Sequence, residues 1–366
     1  MSATLANRSR DTASQSRLVW LRFRRHRMAM FGLCIVALLY FIAAFAEPIA
    51  PFNPDKSNAG LVFHPPQMVH FFDGWSFSPH VLPYRLARDP VTLQPSFVPD
   101  GSRKVALRFF VPGTPYKLWG VFDSNIHLLG PENPGDTMFL LGADREGRDV
   151  LSRMIHGARV SLSFGLVGVS MSLLLGITIG GISGTFVGKV DWGVQRVIGF
   201  IISLPTIPIW LSLVAVLPKD WPPMAIYFII ALIISLVGWT EFARVVRGRF
   251  LALRVDSFVT AAWLDGCSQP RIIFRRMLPS LTSHIIAAIT LAIPNMILAE
   301  TALSFLGLGL KPPAISWGVL LCEAQNIQSI AAAPWLLVPG AAVAITVLAL
   351  NVLGDGLRDA ADPYAH

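Results

Sequence analysis

Asp144, Glu146 and Asp149 stand close together in the chain, and carboxylates at short range can run general acid–base chemistry. Arg145 and Arg148 interleave them, so the segment reads instead as charge-compensated and structural. The other acid that invites a role is Glu300, between Ala299 and Thr301 at the end of a long apolar run. An ionisable side chain in such a setting is costly to bury and marks a site by default. It could line a path, pair with a base on a partner, or sit near the outer membrane interface. A third stretch, Asp256 to Ser280, carries a short half-apolar segment between arginines, a pattern suited to docking on another protein.

The elements that must position these residues are long and apolar. Of 366 residues, 53% are hydrophobic and 14% charged, where soluble domains carry about 25% charged. That excludes a disordered chain and argues against nucleic acid as a partner, despite the net charge of +8. Cys34, Cys267 and Cys322 lie far apart, so neither a disulfide framework nor a zinc ribbon is written here. Stretches without Asp, Glu, Lys or Arg predict membrane spans at 28–46, 160–188, 197–218, 221–240, 277–299 and 334–354. The first is too long for a signal-peptide core and reads as a retained anchor.

Six spans place both termini on one side. Residues 1–27 hold seven arginines and one acid, Asp11; residues 243–280 hold seven arginines against Asp256 and Asp265. The short loops facing the other way carry Lys219 and Lys311. The positive-inside rule therefore predicts cytoplasmic termini and a cytoplasmic 243–280 loop. Between the first two spans, 47–157 forms an external insertion with 14 of the 27 prolines. Lys104–Val111 and Tyr116–Phe122 look like strands between turn residues, so the insertion reads as a small, partly β lobe. It could be a lid or a docking surface.

Gly176, Gly180, Gly184 and Gly188 recur every fourth residue and make a smooth face for close helix packing. Pro205, Pro208, Pro294 and Pro339 are expected to kink their spans, as in proteins that open and close a path. No phosphate-binding P-loop, H-E-x-x-H or G-x-S-x-G string occurs, so any energy source must come from another subunit or an ion gradient.

In the 256–280 loop, Asp256 or Ser257 can cap a short helix carrying Phe258, Ala261, Ala262 and Leu264, and Gly266 supplies its stop. Small residues at 261 and 262 permit close approach. Here the chain resembles the inner-membrane permease subunits of binding-protein-dependent ABC importers, of the dipeptide/oligopeptide/nickel type. Ala261, Ala262, Gly266, Leu278 and Pro279 fall in register with that family's E-A-A…G…L-P loop, and Arg271-Ile272-Ile273-Phe274-Arg275 matches its peptide branch. Thr260 replaces the usual Glu, and Arg276 the usual Ile or His. Residues 142–162 resemble the family's segment ahead of span two, with Ala143 for Thr. Residues 302–318 resemble its external re-entrant stretch, and 351–363 its tail.

The resemblance implies an all-α polytopic membrane protein of six transmembrane helices, the type I ABC importer permease fold, with the Pro-rich insertion between helices one and two. It implies a basic tail at 1–27, helix one at 28–46, the insertion at 47–157, a five-helix core at 158–354 and a cytoplasmic tail at 355–366. The expected partners are a homologous second permease, two ATP-binding subunits or one fused pair, an extracytoplasmic substrate-binding protein and the lipid membrane. No cofactor is expected on this chain, ATP and Mg belonging to the ATPase subunits, and no metal. The loop residues named above, with Arg271, Arg275, Leu278 and Pro279, would couple to the ATPase. Pro294 and Glu300 are candidates for the pathway or an interface. Peptides are the expected cargo. Oligosaccharides or nickel complexes remain alternatives, and an ion-driven carrier would instead require inverted repeats and several intramembrane acids.

Overall fold

A computed structural model describes residues 15–88, 95–218 and 220–361. Arg8, Arg10, Asp11, Lys219 and the last five residues therefore lie outside the described residues. The long helices are α2 (Arg27–Ala44), α4 (Val150–Thr185), α7 (Pro223–Leu253), α11 (Thr282–Phe305) and α14 (Val338–Ala361). Shorter ones are α1 (Gln15–Phe23), α3 (Ala46–Ile49), α5 (Lys189–Ser203), α6 (Thr206–Ala215), α8 (Ser257–Leu264), α9 (Gln269–Ile272), α10 (Leu278–Ser280), α12 (Trp317–Glu323) and α13 (Ile327–Ala332). Among the described residues, five helices are long and apolar enough to cross a membrane, and α5 with α6 makes a sixth if that bent pair is one span.

The third span departs from expectation. A continuous kinked helix over 197–218 is replaced by α5 and α6, bent by 86°. Leu204 and Pro205 are extended, with ψ of 141° and 119°, and Pro205 becomes the N-cap residue of α6 rather than a mid-helix kink. Proline disfavours the helical conformation in the residue before it, and Leu204 takes the extended alternative where the helix breaks. Pro339 is corrected in the same way. It sits in the first turn of α14, where its missing N–H costs nothing, and only Pro294 lies inside its helix. At 1.5 Å per residue the 36 residues of α4 run about 54 Å, well beyond the roughly 30 Å of bilayer hydrocarbon. The start of α4 at Val150 precedes the boundary drawn at 157. Similarly, α7 carries Arg244, Arg247 and Arg249 as helix rather than loop.

The chain divides into two units, with α2, α4, α11 and α14 contributing to both. The first comprises residues 1–37, 163–300 and 344–366. Here α4 and α7 pack with almost no gap. A Cβ on Gly180 would lie 2.5 Å from Ala243 O, one on Gly184 2.6 Å from Phe250 Cβ, and Gly176 abuts Phe242. Gly188 does not continue this face. It lies past the helix end at φ 116°, with open space around it, and serves as the N-cap position of α5.

The second unit comprises residues 38–162 and 301–343 and contains the β lobe. Strands β1 (Val69–Asp73), β2 (Ser76–Val81), β5 (Val105–Leu118) and β6 (Phe122–Pro131) form an antiparallel sheet in the order β1-β2-β5-β6. Strands β3 (Tyr84–Arg88) and β4 (Pro95–Pro99) pair separately. The stretch Tyr116–Phe122 is not one strand but the end of β5, a turn at 119–121 and the start of β6. Val81, Val105, Leu107 and Met138 form the lobe's core.

Candidate functional site

The segment 256–280 folds onto the end of α7. Asp256 occupies the N-cap position of α8, accepting from Val259 N and Thr260 N through its carbonyl; its side chain makes no cap bond. At the other end Gly266 adopts φ 71°, the left-handed conformation that costs any residue with a Cβ. Cys267 N donates to Ala262 O at 3.1 Å and Gly266 N to Trp263 O at 3.0 Å, which closes the helix as a Schellman motif.

The two sides of α8 differ sharply. Val259 and Ala262, three residues apart and so on one face, are buried against Val246 and Phe250 of α7 and against Ile272, Met277 and Leu281. Phe258, Ala261, Trp263 and Leu264 are exposed, Leu264 at 85%. Val255 and Phe274 add to this apolar surface, and Arg271, Arg275 and Pro279 are exposed beside it, with Leu278 half-buried. The chain thus holds α8 firmly from one side and leaves the other side bare. Of the pair at 261 and 262, only Ala261 is free for a partner, since Ala262 is spent on the chain's own core. The residues 273–277 form a π-helical turn, the kind of irregularity that often sits at functional places.

Phe250 links this bed to the glycine face, because the same side chain packs on Gly184. One turn away, Arg247 of α7 is bound to Asp191 of α5 through two short bonds, and Asp191 also accepts from Ser183 Oγ at 2.5 Å. The positive-inside reading counted Arg247 among the basic residues of a cytoplasmic loop. Arg247 is instead occupied within the chain.

Glu300 is fully buried. Tyr227, one turn into α7, shares a 3.1 Å hydrogen bond through its hydroxyl with Ser163 Oγ. Pro294 is buried in α11 between Ile293, which would meet a Cβ on Gly165, and Met296, which would meet one on Gly168.

The 144–149 acids belong to a buried network in the second unit that sequence spacing did not reveal. Asp144 accepts from Arg148 Nε at 2.7 Å and is paired with Arg153, and Arg148 also reaches Glu323 of α12 at 3.2 Å. Burial opposes the charged form of Asp144, but the Arg148 amide and the two guanidiniums outweigh it and hold its carboxyl below the ordinary value. For Glu323, burial and repulsion from Asp144 outweigh the arginines and push its carboxyl up. Asp149, accepting from Ser152 N and Oγ, is pushed up by burial to about 6. Asp144 is held by two arginines and backbone, as in a structural brace, while Asp149 Oδ1 and Glu323 Oε2 are buried without a hydrogen-bond partner among the described residues. Among the described residues no group of His, Cys, Asp and Glu is arranged to hold a metal ion.

Long apolar helices, a bent span and a loop helix bared on one face define a polytopic membrane protein. Residues 176–365 match the binding-protein-dependent transport system inner membrane component, and 14–66 match the N-terminal transmembrane domain of oligopeptide transport permease C. The chain belongs to this family of inner-membrane permeases. It is 34% identical over 241 residues to the oligopeptide transport system permease protein OppC of Bacillus subtilis (strain 168), covering 66% of this chain and 76% of that one. It is 30% identical over 345 residues to the di/tripeptide transport system permease protein DppC of Pseudomonas aeruginosa (strain UCBPP-PA14), covering 94% and 90%. A solved structure of the MetNI methionine ABC transporter, in inward-facing conformations, aligns at 15% identity and a TM-score of 0.47, covering 57% of this chain and 96% of that chain.

Proposed function

We propose that this chain forms half of a peptide translocation path and is driven by a separate ATPase through α8. The peptide cargo is supported by the relatives, which are named as oligopeptide and di/tripeptide permeases. In this reading the second half is a homologous permease. Two ATP-binding subunits, or a fused pair, carry ATP and Mg, and a substrate-binding protein delivers cargo from outside. Residues 1–27, the 243–280 segment and 355–366 face the cytoplasm, and the 47–157 insertion faces the other side.

The observation that carries the reading is the asymmetry of α8. Val259 and Ala262 bind it to α7, while Phe258, Ala261 and Leu264 present an exposed apolar strip. A cleft on the ATPase that takes this strip would move α8, Phe250 and α7 together. The Gly176–Gly180–Gly184 contact would pass that movement to α4, giving alternating access by rocking of packed helices. Exposed arginine pairs contribute only about 0–1 kcal/mol each, so Arg271 and Arg275 set register and apolar docking supplies the grip.

The test is Gly266→Val in the assembled importer reconstituted in liposomes. A β-branched residue at φ 71° unwinds the α8 stop, so peptide uptake and cargo-stimulated ATP hydrolysis should both be lost. Gly266→Asn, which tolerates that backbone, should restore much of both. Normal uptake by the valine variant would refute the role of α8.

A further inference from the structure

The tip of the β5–β6 hairpin has a conformation and a location that the transport cycle does not explain. Trp119 adopts φ 52° and Gly120 φ 74°, and for a bulky residue such a backbone is an outlier that is kept only when its surroundings demand it. The turn aims the indole at the end of α2, where Trp119 Nε1 donates to Ala44 O at 2.7 Å. Helix ends leave carbonyls without partners, and this end is completed twice. Arg159 Nε donates to Ala43 O at 2.9 Å, and the Arg159 guanidinium pairs with Glu47 through two 2.6 Å bonds.

These contacts fix a level. The apolar span α2 stops at Ala44, and the Arg159–Glu47 pair three residues on belongs at a polar boundary, not in hydrocarbon. At this level the hairpin exposes a compact apolar tip: Trp119 at 55%, Val121 at 71% and Phe122 at 60%. The tip is continuous with the exposed side of α2 through a ladder of rings. Phe41, itself 56% exposed, lies 4.9 Å from Phe45, and Phe45 lies 5.5 Å from Trp119. His127 of β6 fastens the hairpin below the tip, its Nδ1 bonding Ala50 O at 2.6 Å.

We infer that the Trp119–Phe122 tip sits in the headgroup and upper acyl layer of the lipid around α2, as an interfacial anchor for the β lobe. Tryptophan prefers that layer because its ring is apolar and its N–H needs a partner, here supplied by Ala44. Val121 and Phe122 bury their side chains among lipid as the apolar face of an interfacial segment does. A lobe anchored in this way keeps a fixed height over the membrane.

The test is a nitroxide on Val121→Cys, in a chain carrying Cys34→Ala, Cys267→Ala and Cys322→Ala. The importer is assembled and placed in phosphatidylcholine–phosphatidylglycerol vesicles, and collision with oxygen is compared with collision with a water-soluble nickel chelate. Trp75→Cys, on the fully exposed β1–β2 turn, is the aqueous control. The expected oxygen-to-nickel ratio at 121 is several-fold that at 75. Equal ratios at the two sites would overturn the inference, placing the tip in water. Protection of 121 from both reagents would overturn it too, placing the tip under another protein.

Discussion

The guanidinium of Arg247 holds the carboxylate of Asp191 side-on, with Nε 2.5 Å from one oxygen and Nη2 2.6 Å from the other. The pair joins α7 to the first turn of α5, where a negative charge also complements the helix dipole. It lies beside the closest approach of α4 and α7, since Arg247 O would be 3.2 Å from a Cβ on Gly184. The bent third span is thereby tied to the same helix that supports α8.

Arg247→Ala and Asp191→Asn should each destabilise the assembled permease by about 1–3 kcal/mol, the cost of stranding a partly buried charged partner. Arg247→Lys should recover only part of this, because an ammonium cannot make the two-bond geometry. Thermal unfolding of the purified complex measures it. The double variant Arg247→Ala with Asp191→Asn should lose less than the sum of the two single losses.

The glycine face separates positions that look alike in sequence. Gly180→Leu should prevent α4 and α7 from docking and abolish accumulation of the folded chain, since its Cβ would already lie 2.5 Å from Ala243 O. Gly193→Ala, which meets nothing within 4 Å on α5, should raise stability slightly or leave it unchanged. Accumulation in membranes and resistance to detergent-induced unfolding distinguish the two.

On α8, Val259→Ala should cost about 1–3 kcal/mol of stability by opening a hole in a buried cluster. Leu264→Asp should leave stability unchanged, because Leu264 is 85% exposed, yet reduce transport. A melting curve and an uptake assay on both variants check this. Equal uptake by Leu264→Asp and the parent chain would show that the bare strip is not a docking face.

Asp149 gives a pH signature with a definite sign. Its folded carboxyl is raised from its ordinary 3.8 to about 6, so the protonated form favours the fold. That contribution is complete below pH about 4 and is lost as pH rises through about 6, the loss reaching roughly 3 kcal/mol by neutral pH. Asp149→Asn should therefore flatten the fall in melting temperature between pH 4 and pH 7. Asp144 works oppositely: its lowered carboxyl favours the fold above its ordinary range, and the gain is lost as pH falls through its folded value.

Much of this was legible in one dimension. Runs without charge pick out the five helices long and apolar enough to cross, and the bent α5–α6 pair where a sixth span was expected, because a bilayer admits only helical backbone with apolar side chains over a set length. The α8 segment was legible because a capping position, a short apolar run and a terminal glycine are local features of contiguous residues. The four-residue glycine spacing announced a close helix contact for Gly176, Gly180 and Gly184 without naming Phe242, Ala243 and Phe250 as the opposite surface. Gly188 shared the spacing but lay past the helix end, which periodicity does not sense.

Tertiary structure alone decided the rest. Arg153 meets Glu323 across 170 positions, and no spacing rule reaches so far. The 86° bend between α5 and α6 is invisible to hydropathy, which averages composition and carries no direction. Ala261 and Ala262 are identical letters side by side, yet one faces solvent and the other the core, because a helix turns about 100° per residue. The chain's chemistry thus specified a membrane permease whose 256–280 segment carries a short capped helix. Packing then chose which face of that helix the chain keeps for itself, since each apolar side chain can be buried against only one surface.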